Sequence, residues 1–211
     1  MNRNAESFCA EMRLKLRPEG RALLRPGLDT VAYFAELLRA DNLADARRVL
    51  AHALPRRRAL WWGCLCAWEA YRPEPPHEVA TVLHAVSEYV ITAADEQRRR
   101  LRVLGMAAGL NTLGGHLALA GFCSAGSLSK PGLPVVTAPV FATGRLVSVA
   151  VYLASVKRDP ARYRDRLRQF LSVGLEVARG ESLWPAVEEE RVASESSTPP
   201  ARVVELVGSM S

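Results

Sequence analysis

A chain of 211 residues, 49 % of them apolar, is long enough for one domain with a sizeable core, and its formal charge is +6. Residues 185–211 hold five Glu against two Arg, a charge of −3, which leaves +9 on residues 1–184, a positive body that suits nucleic acid, an anionic membrane or an acidic protein. Four scattered cysteines (Cys9, Cys64, Cys66 and Cys123) exclude a disulfide framework, and an N-terminus charged throughout excludes a secretory signal, so a cytoplasmic compartment with reduced thiols is expected.

Helical periodicity runs along the chain, and alternating β-branched runs are nearly absent. "LDTVAYFAELLRAD" predicts a helix capped by Asp29 or Thr30, with Val31, Phe34, Leu37 and Leu38 as its apolar stripe. After a tight joint at Asp41–Asn42, "NLADARRVLAHAL" predicts a second helix with Leu43, Ala46, Val49 and Leu50 inward. Pro55 fits the first position of a third helix, which runs to about Tyr71. "RPEPPHE" is a break, and Glu78 to Ile91 follows as a helix with Val79, Val82, Leu83, Val86 and Val90 inward.

Thr92 and Asp95 read as a variant capping box opening a helix to about Leu110, with Leu101, Leu104 and Ala108 on one side. Leu113 to Cys123 is a short apolar helix. Val103 to Ser129 carries no Asp, Glu, Lys or Arg, but its six glycines cut it into pieces shorter than the roughly 20 apolar residues of a membrane span, so no membrane partner is expected. A long Gly/Pro-rich connection covers Ser124–Gly144, then Arg145 to Lys157 is an apolar helix. Asp159–Pro160 caps a last helix ending at Gly180, with Tyr163, Leu167, Phe170, Leu171, Gly174 and Ala178 as its stripe. The sum is an all-α fold, a single helical domain of about eight helices over residues 1–184. Trp184–Pro185 closes that domain, and the composition predicts a disordered, flexible acidic C-terminal tail over residues 185–211 with a short helical segment, "ARVVELV".

The stretch "RRRALWWGCLCAWEA", Arg56 to Ala70, is apolar nearly all round a helix, which predicts burial on most of its surface. Cys64 and Cys66 stand about 200° apart on that helix, so they neither pair nor chelate within it. Arg56, Arg57 and Arg58 sit at a helix N-terminus, where the dipole disfavours cations; they are expected to be a solvated surface, or else to be compensated by an acidic side chain or a bound anion. "RRRLR" (Arg98, Arg99, Arg100, Arg102) and the set Arg162, Arg164, Arg166 and Arg168 form two more basic clusters. No helix-turn-helix, zinc finger or aromatic RNA platform accompanies them. With only three lysines among 28 basic residues, the charge is a bias toward arginine as much as a binding signal.

His52, His77, His84 and His116 are dispersed, the glycines match no phosphate loop, and no serine sits in a nucleophile elbow. The sequence therefore predicts no enzyme, no catalytic residue, no metal site and no cofactor. The Ser124–Gly144 connection is too long for an ordinary loop and carries apolar residues among prolines. It is expected either to strap the helices or to meet a partner.

Three stretches, "HALPRRRALWWGCLCAW", "GFCSAGSLSKPGLPVVTAPVFATGRLVSVAV" and "DPARYRDRLRQFLSVGLEVARG", resemble an uncharacterised bacterial family of roughly 200-residue proteins over about Ala32 to Gly180. The resemblance implies a helical, non-catalytic accessory protein, an adaptor or chaperone for another protein, with some relatives associated with type VI secretion gene neighbourhoods. Similar proteins carry an acidic residue just before the tryptophan pair; here Arg56, Arg57 and Arg58 are uninterrupted. The expectation is a protein-interaction module that binds through the Ser124–Gly144 loop, the basic surface or the tail segment "ARVVELV", its unknown protein partner meeting Leu133, Val136 and Phe141 as apolar anchors and Arg56, Arg57 and Arg58 as orienting charges. The alternative is nucleic-acid binding by the arginine clusters; a third reading is a small-molecule enzyme.

Overall fold

In a computed structural model of the chain, residues 3–182 are described. The expected tail 185–211, its "ARVVELV" segment and the Trp184–Pro185 closure lie outside the described residues. Among the described residues there are ten α-helices and one 3-10 turn, with only two isolated antiparallel bridges, Asn4 with Asp29 and Ser127 with Thr137. The fold is all-α, as expected.

The eight expected helices are α3 (Thr30–Arg39), α4 (Leu43–Ala53), α5 (Arg56–Ala70), α6 (His77–Thr92), α7 (Asp95–Ala108), α8 (Leu113–Phe122), α9 (Ala142–Val156) and α10 (Tyr163–Arg179). Two short helices precede them, α1 (Ala5–Glu11) and α2 (Pro18–Ala22). Neither is long enough to show a periodic stripe, which is why only their capping chemistry betrays them. Asn4 accepts from the Ser7 amide at 3.0 Å to start α1, and Pro18 opens α2.

Helix α5 is central and packs against α4, α6, α8, α9 and α10. Its Leu60, Trp62, Cys64, Cys66 and Ala67 are fully buried, so the unusual stretch is core. The Trp62 indole donates to Phe170 O at 2.7 Å, which satisfies its one polar atom inside the core. Trp61, Leu65 and Trp68 are half-buried on the opposite edge, where Trp68 meets His84 edge-to-face at 5.3 Å.

Several local expectations shift. Asp29 does cap α3, accepting from the Ala32 amide at 2.7 Å. The buried stripe of α3, however, is Thr30, Tyr33, Phe34 and Leu37; Val31 faces solvent, because Tyr33 takes the inward position and donates to Gly20 O at 2.8 Å. Pro55 precedes α5 rather than opening it. Thr92 and Asp95 make no capping box: Thr92 ends α6, and the Asp95 carboxylate is taken by Arg98 and Arg99. Helix α9 begins three residues earlier than expected, at Ala142, which shortens the long connection to residues 123–141.

Asp45 locks the N-terminal segment to the bundle. Its carboxylate is fully buried and accepts from the Arg17 amide at 3.0 Å, from Asn42 Nδ2 at 3.0 Å and from the Arg48 guanidinium. An amide cannot replace the charge that those three donors share. Asp45→Asn is expected to cost about 2 kcal/mol of stability, read as a lower midpoint in urea unfolding. An unchanged midpoint would contradict this role.

Candidate interaction surface

The connection between α8 and α9 is a finger with a built base. At its start the Ser124 hydroxyl donates to Gly121 O at 2.8 Å and accepts from the buried Tyr89 hydroxyl at 2.7 Å. At its neck the Leu128 amide donates to Val136 O at 2.8 Å, beside the Ser127–Thr137 bridge. The Ser127 hydroxyl also accepts from the amides of Ser129 and Val136 at 3.1 and 3.2 Å. At its tip Lys130-Pro131-Gly132-Leu133 makes a tight turn, with the Leu133 amide on Lys130 O at 3.2 Å. Gly132 has φ +83°, and Pro-Gly at the two central positions is the pattern of a type II turn.

Helix α7 holds this finger. Arg98 is only 1 % exposed, with Phe122 beneath its guanidinium at 5.2 Å. Its Nε donates to Asp95 Oδ1 at 2.7 Å, its Nη1 to Phe122 O at 2.8 Å and its Nη2 to Ser127 O at 3.0 Å. Arg99 Nη1 donates to Ser129 O at 2.7 Å. Gly126, at φ +58°, passes so close that a Cβ would stand 2.9 Å from Arg98 Nη2. The Arg99 and then the Arg98 hydrogen bonds hold the Asp95 carboxyl below the usual carboxylate range. A depressed folded pKa means that this contribution is present above the ordinary aspartate value of about 3.9 and fades as pH falls through the lower, folded value.

The tip is bare. Leu133 is 58 % exposed, Val135 75 % and Val136 52 %, and Val140 is exposed as well. Phe141 is placed differently from Leu133 and Val136. It is half-buried against the core, with the guanidinia of Arg145 and Arg13 over its ring at 4.4 and 5.2 Å. The connection is thus strapped at both ends and free at its tip.

Arg56, Arg57 and Arg58 each donate to main-chain carbonyls at or just past the ends of other helices. Arg56 Nη1 donates to Ser124 O at 2.8 Å, just past α8. Arg57 donates to Val90 O and Ile91 O in the last turn of α6, with Nε on Val90 O at 2.8 Å. Arg58 Nη1 donates to Ala178 O at 3.1 Å in the last turn of α10. Three cations at one helix N-terminus are offset by the carbonyl ends of three other helices. In the third basic set, Arg164 and Arg168 both bind Asp41 in the α3–α4 joint, and Arg166 reaches Ser155 O at 3.2 Å.

A second apolar row was not visible as such in the sequence. Val103, Met106 and Leu110 are all exposed on and just beyond α7, at helical spacing, opposite its buried Leu101. The signal was present: α7 is apolar on two faces over its second half, and a helix with one core face needs only one.

The chemistry of the thiols is that of core residues. Burial pushes the Cys64 thiol up to about 12 and Cys66 well above its ordinary value; Cys9 rises to about 11 by burial and the nearby Asp45. Cys123 is raised too, by burial, but is the only one of the four that is not fully buried. In an Ellman titration of the native protein near pH 8, Cys123 is expected to react first and Cys64 and Cys66 only on unfolding. Rapid reaction of Cys64 or Cys66 would contradict their placement. Among the described residues no three His, Cys, Asp or Glu side chains stand close enough to hold a metal ion, and no helix is long and apolar enough to cross a membrane.

Fold and surface together define an all-helical domain that displays an arginine-anchored apolar finger. The chain belongs to a family of unknown function, DUF6931, whose sequence pattern matches residues 33–178, from α3 to the last turn of α10 and including the whole finger. No curated protein and no solved structure matches the chain.

Proposed function

We propose that this is a non-enzymatic interaction protein, an adaptor or chaperone-like module working in the cytoplasm, which binds a protein partner through the finger. The observation that carries this reading is the contrast within one segment. Its base has a satisfied set of buried hydrogen bonds, and its tip leaves Leu133, Val135 and Val136 in water. A fold that only needed to join α8 to α9 has no use for a rigidly mounted apolar tip, whereas a binding protein gains affinity from anchors that are ordered beforehand. The resemblance noted in the sequence makes a type VI secretion component the partner to look for first.

The alternative, nucleic-acid binding, depends on arginines free to meet phosphates. The three basic runs commit most of their guanidinia to carbonyl and carboxylate oxygens of the domain itself. The two readings differ in salt response. Phosphate-driven binding weakens steeply between about 150 and 500 mM salt, and apolar anchoring does not. A nuclease-treated affinity capture at both salts is expected to retain a stoichiometric protein at both. Nucleic acid recovered at low salt and lost on nuclease treatment, with no protein, would favour the alternative.

A further inference from the structure

A cavity of about 240 Å³ opens between the segment after α1, helix α4 and helix α9. Its wall carries Arg13, Lys15, Arg47, Arg48 and Arg145, with His52 beside them and no acidic side chain. A neighbouring cavity of about 560 Å³ shares Arg47 and Arg48 and adds Arg17 and Tyr152. Like charges gathered this way repel one another, so the arrangement needs a reason.

Arg47 supplies it. The residue is 7 % exposed, and its Nε and Nη1 are buried with no acceptor. One face of its guanidinium lies on the Tyr152 ring at 5.0 Å. Burial first, and then the neighbouring Arg48, lower its pKa to about 10, so it is still a cation at neutral pH. Asp45, the carboxylate whose charge acts on Arg47, is committed to the Arg17 amide, Asn42 and Arg48. A buried guanidinium with open donors, ringed by other cations, lacks an anion.

His52 refines the chemistry of that anion. Its Nδ1 stands 2.8 Å from Arg48 O, and a carbonyl oxygen only accepts, so Nδ1 carries the proton. The Nε2 atom is then a buried acceptor, and it has no donor. Burial first, and then the Arg145 charge, lower the His52 pKa against the opposing Arg48 and Phe141 carbonyls, which favours the neutral ring. The cavity therefore offers several guanidinium donors and one acceptor. Hydrogen phosphate and phosphate monoesters match both, since they carry acceptor oxygens and can carry a P–OH donor. Sulfate has no such donor. The volume is below the roughly 300–1,000 Å³ of drug-sized ligand pockets, so it suits a group and not a whole large molecule.

We infer that the α4–α9 cavity binds a phosphate group, either free phosphate or the phosphate end of a small metabolite, through Arg47, Arg48, Arg145 and Arg13, with His52 accepting from the P–OH. The site is separate from the finger, and neither reading depends on the other. The test uses the full chain in chloride buffer at constant ionic strength, with calorimetric titration and thermal melting. Sodium phosphate, glycerol phosphate and sodium sulfate are the probes. Phosphate is expected to bind saturably, to raise the melting temperature, and to bind at least tenfold more tightly than sulfate. Tighter binding of glycerol phosphate assigns the site to a phosphorylated metabolite, and its exclusion assigns it to free phosphate.

Arg47→Met is expected to abolish the phosphate response while melting in chloride no lower than the wild type, because an unpaired buried charge has gone. Should that variant not fold, Arg145→Gln with Arg13→Gln, both at exposed positions, is expected to weaken phosphate at least tenfold. His52→Gln is expected to narrow the preference for phosphate over sulfate. Equal effects of phosphate, sulfate and chloride, or wild-type phosphate binding in the Arg145→Gln, Arg13→Gln variant, would overturn the site.

Discussion

Replacing Arg98 by Met is expected to lower the stability of the whole domain by about 4 kcal/mol, the range for breaking a buried, hydrogen-bonded charge by removal of one partner. In a chain of this size that is about 10 °C in melting temperature. The magnitude follows from what the substitution strands. Phe122 O loses its donor inside the buried base of the finger, and Ser127 O loses one at a part-buried position, while Arg98 itself is 1 % exposed. Asp95 loses less, because it is exposed and keeps Arg99. Arg98→Lys is expected to recover only part of the loss, since one ammonium cannot reproduce a planar fork that reaches three acceptors. Hydrogen exchange adds a local readout: the Leu128 and Val136 amides, which close the neck, should lose protection before the amides of α5 do. A melting temperature within a degree or so of wild type would show that Arg98 does not mount the finger.

The second large effect is on binding. Leu133→Asp combined with Val136→Asp is expected to weaken partner binding more than 100-fold with no change in melting temperature. Fully burying a Leu or Val side chain contributes about 1.5–3 kcal/mol, so two anchors account for at least about 3 kcal/mol, a little over 100-fold, before the cost of burying two carboxylates is counted. The stability of the free protein should not respond, because both side chains already face water. Phe141→Ala separates the two roles within one segment. It is expected to destabilise the domain, since the ring packs on the core beneath Arg13 and Arg145, and to affect binding only through that loss.

Much of the helical order could be read from the sequence, because α3 to α10 are long enough for a 3.6-residue stripe to show, and Asp29 and Gly180 mark ends by capping chemistry, whereas Asp159 caps not α10 itself but the 3-10 turn Pro160–Arg162 that leads into it. The core identity of Trp62, Cys64 and Cys66 followed from a helix with no polar face. What stayed illegible was the destination of the arginines. A run such as Arg56-Arg57-Arg58 looks like a surface patch in one dimension. Which carbonyl each guanidinium meets depends on where α6, α8 and α10 end in space, and no local pattern encodes that. The converse holds for the phosphate-group cavity. Arg13, Lys15, Arg47, Arg48 and Arg145 come from three separate parts of the chain, and only Arg47 and Arg48 are neighbours. The finger was half legible: its Pro-Gly turn and apolar residues were visible, but the split between a fixed base and a free tip required the position of Arg98.

The measurement that bears most directly on the finger as a partner site is a paired affinity capture from the cells that make the protein. Wild type and the Leu133→Asp, Val136→Asp variant would serve as baits at about 500 mM salt, where phosphate contacts are largely screened. A stoichiometric protein is expected on the wild type and is expected to be lost from the variant, with both baits melting at the same temperature. The same protein retained equally by both baits would contradict the finger as the partner site.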